Sequence, residues 1–312
     1  MANPQAYKKP WWLAGKHIET IAARRLGPRP DYSRQIATTA DDDPIAFDSL
    51  PGAAGAPGLC IFHGLEGCSQ SHTVRQIASY FNSLGWAIVI PHFRSCGVMN
   101  KLPRAYHAGD SQDIGWMLRY AVATMEQSSG HFAVGVSLGG NALVKWLAEN
   151  ADQTLIKAAV AVAAPLDLTV CAARLDQWFN RRLYGNYFLA SLKKKLHAKI
   201  QRYPFLAKPR DIERLATVRA FDEIYTAPIH GFASAKDYYR QSSALPLMSQ
   251  ISTPLLCLHA DNDALVPVPD IPTGGATQLE CTRGGGHAGY VTGPFPGRGS
   301  WLPQRLKSFY EG

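Results

Sequence analysis

Five short runs of this chain are apolar without a break: "LCIF" (59–62), "WAIVI" (86–90), "FAVGV" (132–136), "AAVAVAA" (158–164) and "LLCL" (255–258). A strand without polar alternation must be covered on both faces. Between the first four lie segments with helical spacing. In "SHTVRQIASYFNSLG", Val74, Ile77, Ala78 and Phe81 keep the 3.6-residue period and Gly85 closes it. "SQDIGWMLRYAVATM" is a second helix, capped by Asp110 or Ser111, and "LGGNALVKWLAEN" a third. Strands and helices in this order give a mostly parallel sheet with helices on both faces, an α/β fold.

The alternation stops near Pro165 and resumes at Pro254. From Asp167 to Ser249 the sequence is helix-like, basic and aromatic, without a buried strand. The expected organisation is one domain spanning 1–312, with a core of about 30–166 and 250–312 and a helical cap inserted at 167–249. "SRQIATTADDDPIAFDSL" reads as a hairpin around Asp41–Asp43, "TQLECTR" as a last strand, and Leu302–Tyr310 as a terminal helix. Residues 1 to about 30 read as irregular, with Trp11 and Trp12 packed onto the main body. With 46% apolar residues among 312, a large core is available.

The formal net charge is +8, but the basic residues are dispersed. The densest run is "SLKKKLHAKIQR" (191–202). Its Leu192, Leu196, His197 and Ile200 fall near helical spacing, so the lysines are expected on a solvated face. No zinc-finger, RNP or Walker pattern points to nucleic acid. The basic cap leaves peripheral contact with an anionic membrane open. The six cysteines form no CxxC pair, and Cys60 and Cys257 lie inside apolar runs, as reduced thiols of a cytoplasmic protein would. The N-terminus carries no apolar leader pattern.

Function is read at Gly135-Val136-Ser137-Leu138-Gly139. This G-x-S-x-G stretch leaves an apolar strand and opens a helix, the context in which a serine sits on a sharp turn with its Oγ exposed. A serine hydroxyl needs a base, and the base needs an orienting acid. Beyond the cap, "LHADNDALVP" offers Asp263, deeper in its loop, with Asp261 as the alternative. "ECTRGGGHAGYV" then offers His287, 24 residues after Asp263, as the base. Oxyanion donors are expected from the backbone N–H groups of Leu138 and of Leu65 in "HGLEG".

"HGLEG", "HFRSCG", "YHAGDSQDI", "GVSLGGNAL", "FDEIYTAPIHGF", "DYYRQSSALP", "HADND", "GGGHAGY" and the N-terminal "PWWLAGKHIETI" together resemble the YheT-like α/β-hydrolases, close to the AB-hydrolase-domain esterases and lipases. The resemblance runs from about Pro10 to Tyr310. It implies an α/β-hydrolase fold with a helical cap and carboxylic-ester hydrolysis by Ser137, Asp263 and His287, with no metal or cofactor and a small-molecule ester as substrate. One departure is visible: the family usually reads "FRGCGG" or "FRGCSG" where this chain has "FRSCGV" (93–98), so Ser95 and Val98 replace small or glycine positions. His107 and His230 are expected mainly as scaffold, and Arg94 could pair with Asp110. Trp178, Phe179, Tyr184, Tyr187 and Phe188 either line an acyl pocket or form the cap's own core. Two other readings stay open: an acyltransferase or thioesterase using the same triad, and a non-catalytic binding protein.

Overall fold

The computed structural model describes residues 6–272 and 274–312. Residues 1–5, part of the N-terminal stretch read above for a leader, lie outside it. Among the described residues eight strands form one sheet, ordered β1-β2-β4-β3-β5-β6-β7-β8. They are β1 (Ser33–Thr38), β2 (Pro44–Leu50), β3 (Gly58–Phe62), β4 (Ala87–Pro91), β5 (His131–Val136), β6 (Ala158–Val162), β7 (Leu255–Ala260) and β8 (Thr277–Thr282). β1 and β2 form the hairpin around Asp41–Asp43, and β2 joins β4 antiparallel. The remaining pairings are parallel.

The unbroken apolar strands are explained by what covers them. On β3, Cys60 and Phe62 face one core and Leu59 and Ile61 the other; on β5, Ala133 and Val134 divide the same way. A first helix, α1 (Lys16–Ala22), precedes the sheet; then come α2 (His72–Ser83), α3 (Ser111–Thr124) and α4 (Leu138–Glu149). α3 and α4 fill one face through Ile114, Leu118, Leu143 and Leu147. α2 fills the other through Val74, Ile77 and Phe81, joined by Leu302 and Leu306 near the C-terminus. Each such side chain contributes about 1.5–3 kcal/mol when fully buried.

Between β6 and β7 the chain is helical: α5 (Leu168–Asp176), α6 (Trp178–Asn180), a π turn (Arg181–Gly185), α7 (Asn186–Arg202), α8 (Pro209–Arg214), α9 (Val218–Phe221), a second π turn (Asp222–Thr226), α10 (Ala227–Ile229) and α11 (Ala235–Ser242). The closing helix is α12 (Trp301–Tyr310). The helical segment has a small core of its own: Leu189, Leu192, Leu196, Ile200, Ile212, Phe221 and Tyr225.

Four sequence expectations are corrected here. Residues 16–25 form a helical turn pair rather than irregular chain. Trp11 stands out in solvent at 93% exposure, while Trp12 is held by its indole N–H on the Gly293 carbonyl at 3.0 Å. Trp178, Phe179 and Tyr187 are exposed, so they neither line a pocket nor build the segment's core. The lysine run is split by helix phase. Lys193 and Lys194 point outward, but Lys199 is buried and donates to Asn100 Oδ1 (2.6 Å) and the carbonyls of Leu102 (2.6 Å) and Arg104 (3.1 Å). Burial pushes its pKa down to about 8.

Candidate active site

β5 ends at Val136 and α4 begins at Leu138, so the whole reversal is concentrated at Ser137. Its backbone is left-handed, φ 52° and ψ −122°, a conformation that costs a non-glycine residue on the order of 1–3 kcal/mol. The surroundings hold it there. Ser137 N–H donates to the Val162 carbonyl at 2.8 Å, fastening the turn to β6. The two glycines of the motif are forced by crowding. A Cβ on Gly135 would lie 2.4 Å from the Gly139 carbonyl oxygen, and one on Gly139 would lie 2.4 Å from that of His63.

β7 and β8 deliver the other two groups. His287 Nδ1 is 2.8 Å from Asp263 Oδ2, and His287 Nε2 is 3.0 Å from Ser137 Oγ. The second Asp263 oxygen accepts the N–H groups of Leu265 (2.8 Å) and Val266 (3.0 Å). Burial would raise the Asp263 pKa, but His287 and those two N–H donors hold it below the usual carboxylate value. Burial would lower the His287 pKa; the Asp263 carboxylate outweighs it and leaves the imidazole above its ordinary value.

Asp261, the alternative acid, does something different: it accepts Gly284 N–H at 2.8 Å and shapes the histidine loop. That loop passes through three left-handed glycines, Gly284 (φ 85°), Gly285 (φ 121°) and Gly286 (φ 55°), a path side chains resist. It is tied to α1. Buried Glu19 accepts Gly285 N–H at 2.6 Å, and Thr20 Oγ1 accepts His287 N–H at 2.9 Å. These two residues lie more than 260 positions from their partners, and no local pattern marks them.

Leu65 and Leu138 both border the cavity in front of Ser137. The turn carrying Leu65 lies against the serine: a Cβ on Gly64 would be 3.3 Å from Ser137 Cβ. His63 sets this turn, with Nδ1 2.8 Å from the Gly64 carbonyl and Nε2 accepting Phe93 N–H at 3.2 Å. Burial lowers its pKa to about 3, so it is a neutral strut. Next comes Glu66, left-handed at φ 54°. Its buried carboxylate accepts Tyr106 Oη–H (2.9 Å), Lys195 Nζ–H (2.8 Å) and the Ser191 hydroxyl. Tyr106 Oη in turn accepts Glu66 N–H at 2.8 Å. Sequence reading found the turn and missed this clamp between it and α7.

The cavity is mainly apolar, lined by Leu168, Leu175, Phe188, Leu192, Val218 and Tyr239 among others. Of the five aromatic residues proposed from sequence, Phe188 alone borders it. Ser95, at the position where glycine is usual, is left-handed (φ 64°), reaches the cavity and donates to Asn100 Oδ1. Arg94 does not pair with Asp110. It is buried on Asp113 (2.6 and 2.8 Å), Asp43 (2.6 Å) and Asp41 (3.1 Å), while Asp110 pairs with Arg104 at 2.8 Å. The His107 and His230 rings lie 4.5 Å apart between centroids, tilted by 58°, and burial lowers both pKa values to about 3. Among the described residues no cluster of three or more His, Cys, Asp or Glu could hold a metal ion.

This sheet order, with a left-handed serine at the β5–α4 turn, is the arrangement of the α/β hydrolases, and residues 57–294 match the α/β-hydrolase fold family. YheT of Escherichia coli, provisionally named an esterase, is 34% identical over 310 residues, covering 93% of this chain and 88% of that protein. Human phospholipase ABHD3 is 24% identical over 298 residues, covering 91% and 73%. A Pyrococcus furiosus esterase shares the fold, with a TM-score of 0.61 at 17% identity over 92% of this chain and 96% of its own. The chain belongs to the α/β-hydrolase fold family and, within it, to the YheT-like, esterase- and lipase-like members.

Proposed function

We propose that this protein is a serine hydrolase that cleaves carboxylic esters of apolar acyl groups through a covalent acyl-enzyme. Ser137 Oγ attacks the ester carbonyl while His287 Nε2 takes its proton. Asp263, ionised, accepts the Nδ1–H bond, fixes the tautomer and stabilises the imidazolium. The N–H groups of Leu65 and Leu138 receive the oxyanion. His287 then protonates the departing alcohol. Water, deprotonated by His287, attacks the acyl carbon and frees the acid and Ser137.

One observation carries this reading: an unbroken hydrogen-bond chain from a buried carboxylate to a strained serine that opens on an apolar cavity. The phospholipase among the relatives supports a lipid-like ester as substrate. The test is a panel of nitrophenyl esters of increasing acyl length, with wild-type protein and Ser137→Ala. The expected result is turnover of several short to medium esters by the wild type and none above background by the variant. No turnover of any ester, with acyl transfer to a thiol or alcohol acceptor instead, would replace hydrolysis by transfer. Equal turnover by Ser137→Ala would remove the serine from the mechanism.

A further inference from the structure

The segment between β6 and β7 exposes large apolar side chains where it meets α1. Trp178 is 66% exposed, Phe179 51%, Tyr187 59% and Ile18, on α1, 54%. They form one face rather than scattered points. The His17 ring lies 4.6 Å from that of Phe179, and the Arg24 guanidinium lies 5.5 Å from the Tyr187 ring. Arg182 lies 5.9 Å from the Trp178 ring. A patch of this kind costs free energy in water and marks a surface that meets something else.

The charge says what that is. Across residues 6–29 and 177–199 the sole acidic residue is Glu19, which is buried under the histidine loop. The same stretches carry Lys16, Arg24, Arg25, Arg181 and Arg182. Exposed tryptophan, tyrosine and phenylalanine edged by Arg24 and Arg182, with half-buried Asp176 beside Arg181 the one carboxylate at the edge, match the headgroup zone of an anionic bilayer. A second copy of this face would bring like charges together. The face also adjoins the site. Thr20, on α1, holds His287, and Phe188, next to Tyr187, borders the cavity.

We propose that this face docks the protein on anionic lipid surfaces and sets the mouth of the cavity at the level of the headgroups, where a lipid ester can enter. The docking stands on its own observations; the entry of an ester rests on the hydrolase reading.

The test is sedimentation of the full chain with vesicles of phosphatidylcholine alone and with one-third phosphatidylglycerol. Binding to the anionic vesicles is expected to be at least about tenfold tighter and to be lost as salt rises from about 0.05 to 0.5 M. Two surface variants, Trp178→Gln/Tyr187→Gln and Arg24→Gln/Arg182→Gln, should each weaken it at least about tenfold. Hydrolysis of a short, water-soluble ester should stay within about twofold, since both pairs lie outside the cavity. If one pair fails to fold, the other carries the test. No binding to anionic vesicles, or binding unchanged in the variants, overturns the proposal. A variant that instead dissolves a dimer overturns it too, because a second copy then covers the face. Docking is read without turnover, so its failure and the failure of the hydrolase reading are separate results.

Discussion

The rim that carries Ser137, Asp263 and His287 and the helical segment above it are held by different means. At the rim the restraints are short: N–H groups on Asp263, carbonyls against Gly135 and Gly139, the Val162 carbonyl on Ser137, and the Glu19, Thr20 and Asp261 side chains on the histidine loop. The helical segment is held largely by long side chains, with Lys195 on Glu66, Lys199 on the 100–104 loop and Tyr225 Oη on the Pro103 carbonyl at 2.7 Å. Holding a segment through a lysine freezes several rotatable bonds, and holding it through backbone groups or short side chains freezes few. The difference teaches that the rim around Ser137, Asp263 and His287 is tied by short contacts and the segment above it by longer ones.

The contrast predicts unequal responses to substitution. Ser137→Ala should lower kcat by roughly 10⁴–10⁶-fold, measured on the best ester of the panel. Asp263→Asn should cost about 10³–10⁴-fold. It should also move the acid limb of the pH profile. His287 must be neutral to act, so wild-type activity falls as pH drops through a midpoint that the Asp263 carboxylate raises above the ordinary imidazole value. Without the carboxylate that raises it, the midpoint should shift to lower pH. A midpoint that stays in place would separate Asp263 from the histidine.

Gly139→Ala puts a methyl 2.4 Å from a carbonyl oxygen on the neighbouring strand end, and should cost about 3 kcal/mol in a urea titration. The mildest test uses one helix. Lys195→Met removes a donor from buried Glu66 and should lower kcat by about tenfold with less change in KM, because it loosens the turn beside Leu65. Lys193→Met, which loses a bond to the exposed Glu213 carbonyl, should change activity less than twofold. Equal effects at 193 and 195 would deny the clamp.

The same contrast explains what could be read in advance. The strands, the serine turn and the order of acid and histidine were legible because each is set by local chemistry: uninterrupted apolar runs, a glycine-flanked serine, a glycine run before His287. The helical character of the segment at 167–249 was legible too, but its side-chain partners were not. The regular period of α7 puts Lys199 on the buried face with Leu192 and Leu196 and leaves Lys194 exposed, and only the tertiary structure shows that the 100–104 loop lies there to receive the ammonium. Arg94 found Asp43 and Asp113 rather than Asp110, since its partners come from a hairpin turn and from α3, and only tertiary structure brings them together. Glu19 and Thr20 were hidden for the same reason, and for another: α1 has no side-chain cap to announce it.

The central claim is that His287, poised by Asp263, makes the Ser137 hydroxyl nucleophilic. Labelling with a fluorophosphonate, followed by peptide mapping, tests it most directly. The account predicts one adduct, on Ser137, forming faster as pH rises through the His287 pKa and slowed at least about 10³-fold in His287→Ala. An adduct on another residue, or labelling at the wild-type rate without His287, would contradict it.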